Sequence, residues 1–172
     1  EVNTACTEPE DGQEKVIELP SVILEENEIE LVGIDPDSLL HPLYSRNDNE
    51  ITSDVEDGLV ITESLHLKEG YDVGDTLTID SGTETFEVEV KSITEEYTGN
   101  KAYLSRERIS SVLYGENDYH NAIYSSDALN ENAFSLVVST QEILEQTQKM
   151  QQFMDVMIYL LIGVSVMIGG II

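Results

Sequence analysis

Three histidines, His41, His66 and His120, are the side chains of this chain best suited to proton transfer or metal ligation, and they stand far apart with no pair at ligand spacing. None is close to Cys6, the single cysteine. Ser38 precedes His41 and Ser64 precedes His66 closely enough to suggest a nucleophile beside a base, yet neither serine lies in a G-x-S-x-G sequence. Asp54, Glu56 and Asp57 ahead of Gly58 make an oxygen-rich stretch, but they lack the alternating ligands with glycine at the sixth position of an EF-hand loop. A solvated acidic loop is expected there. No G-x-x-x-x-G-K-[ST] occurs, and Gly99-Asn100-Lys101 does not approach it, so a P-loop is not the means of binding nucleotide. The residues predict a non-catalytic chain with no cofactor and no metal.

Charge narrows the classes further. Thirty-five acidic against 8 basic side chains give a formal net charge of −27, which disfavours polyanionic partners and excludes nucleic acid as a ligand. With 40% hydrophobic residues alternating with the acids, the excess reads as the surface of a folded domain rather than a disordered tail. Cys6 cannot form an internal disulfide, so cysteine usage leaves the redox compartment open. The N-terminal residues have neither a basic nor an apolar segment of the kind found in signal peptides, so an extracytoplasmic chain would have its targeting element removed or upstream.

The elements that must carry these residues alternate irregularly between strands and short helices, which predicts a small α+β domain. Residues 1–14 are polar and read as a flexible lead-in, followed by a domain over 15–138. Val16–Leu19, Val22–Leu24 and Ile29–Ile34 are strand candidates, interrupted at Pro20. Asp35 is placed to cap a short helix with Pro36 at its first position, carrying Leu39, Leu40 and Leu43. A polar loop over 47–58 leads to the strand Leu59-Val60-Ile61, and Thr62 should cap a helix that runs to Glu69 and stops at Gly70. Tyr71–Asp75 connects to a hairpin, with Thr76–Asp80 as one strand, Ser81-Gly82 in the turn, and Phe86, Val88 and Val90 sharing one face of the return. Ala102–Leu104 is a further strand. Ser105 should cap a helix whose face holds Ile109, Val112 and Leu113 until Gly115, and Ala122–Tyr124 and Phe134–Val138 are the last strand candidates.

From Ser139 the period becomes helical, opened by the capping box Ser139-x-x-Glu142. Ile143, Thr147, Met150, Met154 and Met157 follow at steps of four, three, four and three, one seam along a stalk helix over 139–155. Methionines at this spacing predict an adaptable packing surface. Residues 156–172 then run for seventeen positions without a charge, about 26 Å of helix at 1.5 Å per residue and just short of a bilayer's hydrocarbon core. This segment reads as the start of a transmembrane helix, in which Gly163, Gly169 and Gly170 would let a neighbouring helix approach. Lys149 is the only basic side chain in the twenty residues before Val156, which puts the domain on the extracytoplasmic side of a cell membrane.

The stretch from Gly58 to Leu77 resembles a segment of the extracytoplasmic domain of FtsX-like and MacB-like ABC transporter permeases. In that family a buried strand leads to a short helix ending in glycine, then to a turn containing Gly-Asp and a β-hairpin. Gly70, Gly74 and Asp75 match those positions, and Gly33 and Asp35 in Val32-Gly33-Ile34-Asp35 match the end of an earlier strand. His66 stands where a small residue is common. The resemblance implies a permease subunit without catalytic residues, paired with a second copy or homologue and driven by a separate ABC ATPase. Movement of its membrane helices would pass along the stalk to export, extraction or signalling outside the membrane. The rival expectation is a singly anchored binding or sensor module, with an enzyme a distant third.

Overall fold

A computed structural model describes Pro9, residues 12–116 and 118–127, and Met157, Ile158 and Ile162. The chain divides into two units, Glu1–Asp127 and Ala128–Ile172. The first is a mixed α+β domain. β1 (Gln13–Leu24) and β2 (Asn27–Ile34) form a hairpin in which Leu24 pairs with Asn27 and Glu25 takes a φ of 56° at the tip. β3 (Leu59–Thr62) runs into α2 (Glu63–Glu69) after the short α1 (Asp54–Asp57). β4 (Thr76–Asp80), β5 (Thr85–Thr94) and β6 (Lys101–Ser105) follow, then α3 (Arg106–Ile109), which widens into a π-helical turn over Ser110–Tyr114, and last β7 (Ala122–Ser125).

Six of the strands close on themselves. The hydrogen-bonded order β2-β6-β3-β5-β4-β1 is completed by the β1–β2 pairing, and β7 extends it by pairing with Gln13–Val16 of β1. The β2–β6 and β3–β5 pairs are parallel and the rest antiparallel. Closure leaves no free edge within the ring. Alternation along each strand sends one set of side chains to the interior and the next to the outer face. Ile17, Leu31, Ile61, Ile79, Val90 and Leu104 belong to the larger core, whereas Val32, Ile34, Val60, Tyr103, Leu43 and Val55 form a second cluster under the segment joining β2 to β3.

The structure departs from expectation at several places, each with a local cause. Pro20 does not end a strand. It lies in a β-bulge, where Leu19 pairs with Leu31 and Val22 with Ile29, so a residue without an N–H costs the ladder nothing. Asp35 does not cap a helix. Beyond a single turn closed by Ser38 N donating to Asp35 O, the Glu14 carboxylate accepts the amides of Leu39 and Leu40 at 2.7 and 3.2 Å and the Ser38 hydroxyl at 2.5 Å, tying this segment to β1. Leu39 is accordingly exposed and Leu43 buried. The acidic stretch 47–58 contains α1, anchored by the fully buried Val55. The hairpin between β4 and β5 is present with Thr76 opposite Glu89 and Asp80 opposite Thr85, and four residues rather than two turn it. Thr62 and Ser105 stand at helix N-termini without a capping hydrogen bond. Val112 is exposed while Ile109 is buried and Leu113 packs on the core, because the i→i+5 winding of the π turn separates residues that an α-helix would align.

The Phe134–Val138 strand, the capping box at Ser139 and most of the seam lie outside the described residues, as does most of 156–172. Met157, Ile158 and Ile162 are helical and exposed. Among the described residues no helix is long and apolar enough to cross a membrane.

Candidate functional site

Gly33 and Asp35 both meet Arg106, one at its backbone and the other at its side chain. A Cβ on Gly33 would stand 3.2 Å from the Arg106 Cα and 3.0 Å from Ile109 Cδ1, so glycine lets the start of α3 lie against β2. Two residues on, the Asp35 carboxylate accepts Arg106 Nε at 2.9 Å and Nη2 at 3.3 Å. Arg106 Nη1 reaches Asp118 at 2.9 Å, and Asp118, also bonded by Lys15 at 2.5 Å, is held below the usual carboxylate range by those cations.

Gly70, Gly74 and Asp75 shape the passage from α2 to β4. Gly70 closes α2 with a φ of 78°, its amide donating to His66 O. Gly74, at a φ of 95°, donates its amide to Val90 O, and Asp75 O accepts the Val90 amide in return, so the turn prolongs the β4–β5 ladder. The Asp75 carboxylate accepts the Asp72 amide at 2.8 Å. These are backbone-shaping roles, and no hydrogen bond or ion pair joins this group to Gly33 and Asp35 among the described residues. Of the stalk seam, Ile143, Thr147, Met150 and Met154 lie outside the described residues.

The serine–histidine pairs do not assemble into nucleophile and base. Ser38 Oγ donates to Glu14 and accepts the backbone amide of His41, not its ring. His66 Nδ1 donates to Tyr71 O at 2.7 Å, and Ser64 Oγ is buried without a hydrogen-bond partner, so the His66 ring does not reach it. Among the described residues no group of three histidine, cysteine, aspartate or glutamate side chains is placed to hold a metal ion. Asp54, on α1, accepts the Ser92 hydroxyl.

A concave site forms elsewhere, at the end of β5 beside the face of the sheet that carries Val60 and Tyr103. The β2–β3 segment crosses this face and is pinned to the end of β5, where the Tyr44 carbonyl accepts the Glu95 amide at 2.7 Å and the Thr94 hydroxyl at 3.0 Å. Between these walls, residues 41–44 and 48 on one side and 94–96 on the other, lies a cavity of about 400 Å³. His41 closes one end against two aromatic rings, its centroid 5.3 Å from that of Tyr103 and 5.6 Å from that of Tyr124. Burial lowers the His41 pKa from its ordinary value, partly offset by the Glu96 carboxylate. Tyr103 donates to Glu96 at 2.7 Å and Tyr124 to Glu18 at 3.0 Å, and burial, reinforced by those carboxylates, pushes both phenols up. At neutral pH this end presents neutral rings beside carboxylates.

Arg46, from the same segment, is engaged by the buried Glu63 carboxylate of α2. None of Asp48, Glu95 and Glu96 has a basic partner within ion-pair distance among the described residues, while Glu95 and Glu96 accept phenol hydroxyls. The sequence pointed to none of this, because the cavity is assembled from segments separated by about fifty residues and joined through a backbone carbonyl.

No family model and no curated protein matches the chain. Among solved structures, the extracellular domain of the noncanonic ABC-type transporter YknZ from Gram-positive bacteria is similar, at 19% identity and a TM-score of 0.46, over 69% of this chain and 68% of that one.

Proposed function

We propose that this chain is the extracytoplasmic part of an ABC transporter permease of the FtsX-like and MacB-like type. Its role on this reading is mechanical. A separate ATPase hydrolyses ATP, the permease's membrane helices move, and a stalk begun at Ser139 carries the displacement to the domain, which exports, extracts or signals outside the cell membrane. The permease works as a pair with a second copy or homologue.

The observation that carries the reading is the order of features from Gly58 to Leu77. A fully buried strand, a short helix closed by Gly70 in the left-handed region, the Gly74-Asp75 turn and a β-hairpin succeed one another as the family resemblance requires. The closed ring of strands supports a mechanical role, since a barrel hydrogen-bonded all round passes on a displacement at one end more fully than an open sheet would.

Topology in intact cells tests the reading. Thr83 lies exposed in the β4–β5 turn, so Thr83→Cys in a Cys6→Ser background of the full-length protein should react with a membrane-impermeant maleimide without lysis. Labelling that requires lysis would put the domain on the wrong side.

A further inference from the structure

We infer that residues 35–52 form a strap latched by the β1–β7 ribbon, with the Glu14 carboxylate as the latch. Displacing the ribbon releases the strap. The ribbon is where the two ends of the domain meet. Gln13 pairs with Ser125 and Val16 with Ala122, and a Cβ on Gly12 would lie 3.7 Å from Ser126 Oγ, so the chain enters and leaves the domain side by side. Among the described residues β7 pairs with no strand but β1. A displacement of the chain at either point therefore meets the ribbon before it meets the closed ring.

Strand parity gives the ribbon two faces. Lys15 projects to one and bonds Asp118, which Arg106 at the start of α3 also holds. Glu14 and Val16 project to the other, with Tyr124 and Ala122 opposite them. On that face Val16, Ala122 and Tyr124 pack in the same cluster as Leu43 and Ile51 of the strap. Beside them the Glu14 carboxylate accepts the Ser38 hydroxyl and the amides of Leu39 and Leu40. Hydrogen bonds to a carboxylate are about twice as strong as those between neutral groups, and these three share one acceptor, so they are made and lost together.

The rest of the strap is lightly held. Leu43 is its one fully buried apolar side chain, and Leu39 is 84% exposed. Past Asp35, its polar ties to the domain run through Glu14, the Tyr44 carbonyl and the exposed Arg46. Asp48 holds a φ of 56°, uncommon outside glycine, and the cavity of about 400 Å³ separates the strap from the end of β5. A segment with little buried apolar surface, bordered by open space, opens at a lower free energy than strands bonded on both sides. Opening takes Leu43 out of the cluster and uncovers the Tyr103 and Tyr124 rings on which His41 packs. The latch does not rest on the permease reading; within that reading, the strap is the element that a pull on the domain's two connections sets free.

Hydrogen–deuterium exchange of the full-length protein in detergent, read peptide by peptide, tests the latch. In a Cys6→Ser background, Gln13→Cys with Ser125→Cys puts two thiols at directly opposed positions, and oxidation fixes that end of the ribbon. The inference predicts severalfold slower exchange over residues 38–48 on oxidation, reversed by dithiothreitol, and no such slowing once Glu14→Ala is added. Glu14→Ala alone should speed exchange over 38–48 by at least about tenfold, the equivalent of one hydrogen bond to a charged group, while β4 and β5 keep the parent rates. Glu14→Gln, which keeps an acceptor without the charge, should give a smaller increase and replaces Glu14→Ala if that variant does not fold. Strap exchange unchanged by the cross-link, slowing that is equal with and without Glu14, or faster exchange spread evenly over strap and ring would overturn the latch. Thiols that do not pair would contradict the ribbon register on which it depends.

Discussion

Arg106 holds Asp35 with two nitrogens of one guanidinium, Nε at 2.9 Å and Nη2 at 3.3 Å, and the backbone of Arg106 leaves no room for a side chain on Gly33 two residues before that aspartate. The fork fixes where α3 begins relative to β2. Arg106→Lys should therefore recover little of what Arg106→Ala loses, because an ammonium cannot reproduce the paired geometry. Chemical denaturation is expected to show Arg106→Ala destabilised by about 2–3 kcal/mol, and Gly33→Ala by about 1–3 kcal/mol from overpacking. A lysine variant as stable as the parent would mean that charge alone matters at this junction.

Two glycines separate crowding from backbone strain. At Gly58, whose φ of 175° suits any residue, a Cβ would run into Glu89 O and Lys91 Cγ. At Gly74 a Cβ would meet nothing within 4 Å, but the φ of 95° is one that side chains rarely adopt. Gly74→Ala should cost about 1–2 kcal/mol, and Gly58→Ala about 3 kcal/mol or more, since backbone cannot step aside. Thermal unfolding of the two variants ranks them, and the reverse order would contradict the packing described around β5.

His41 should make stability depend on pH in a defined sense. Its folded-state pKa lies below the ordinary 6.5, so the unfolded chain takes up a proton first as pH falls. Stability contributed by the neutral ring is complete above pH 6.5 and is lost as pH drops from there toward the lowered folded value. His41→Phe keeps an aromatic ring against Tyr103 and Tyr124 but cannot titrate. Unfolding midpoints measured from neutral pH downward should fall more steeply in the parent than in His41→Phe, the carboxylate contributions being common to both. Parallel curves would remove His41 from the account.

The net charge of −27 makes self-repulsion a large unfavourable contribution to the compact state. Raising chloride salt from about 0.1 M to about 1 M shortens the Debye length from about 10 Å to about 3 Å. The denaturation midpoint should rise across that range. A flat or falling midpoint would show that the acidic side chains are spaced widely enough not to matter.

Local order was legible in the sequence wherever one residue type decides it. Gly70, Gly74 and Gly115 sit at positive φ, and the alternation of Phe86, Val88 and Val90 against Glu87 and Glu89 marks β5, because glycine permissiveness and strand parity are properties of neighbours in the chain. Ring closure was not legible. It depends on β1 pairing with β7 through Gln13–Val16 and with both β2 and β4 at Ile23 and Leu24, long-range contacts that periodicity cannot report. The segment after Asp35 was misread as helical for a similar reason: the Glu14 carboxylate, distant in sequence, takes the amides that a helix would have used. The cavity beside His41 likewise rests on contacts across about fifty positions, and Thr62, which the sequence marks as a cap, makes no capping hydrogen bond to α2.

Purification of the full-length protein from its own membranes under mild detergent tests the central proposal most directly, with the co-purifying proteins identified and ATP hydrolysis measured. The account predicts an ABC ATPase retained in stoichiometric amount and hydrolysis that changes when the Gly74-Asp75 turn or the Gly33–Arg106 junction is disrupted. A singly anchored protein that brings no ATPase with it would contradict the account and favour a binding or sensor module.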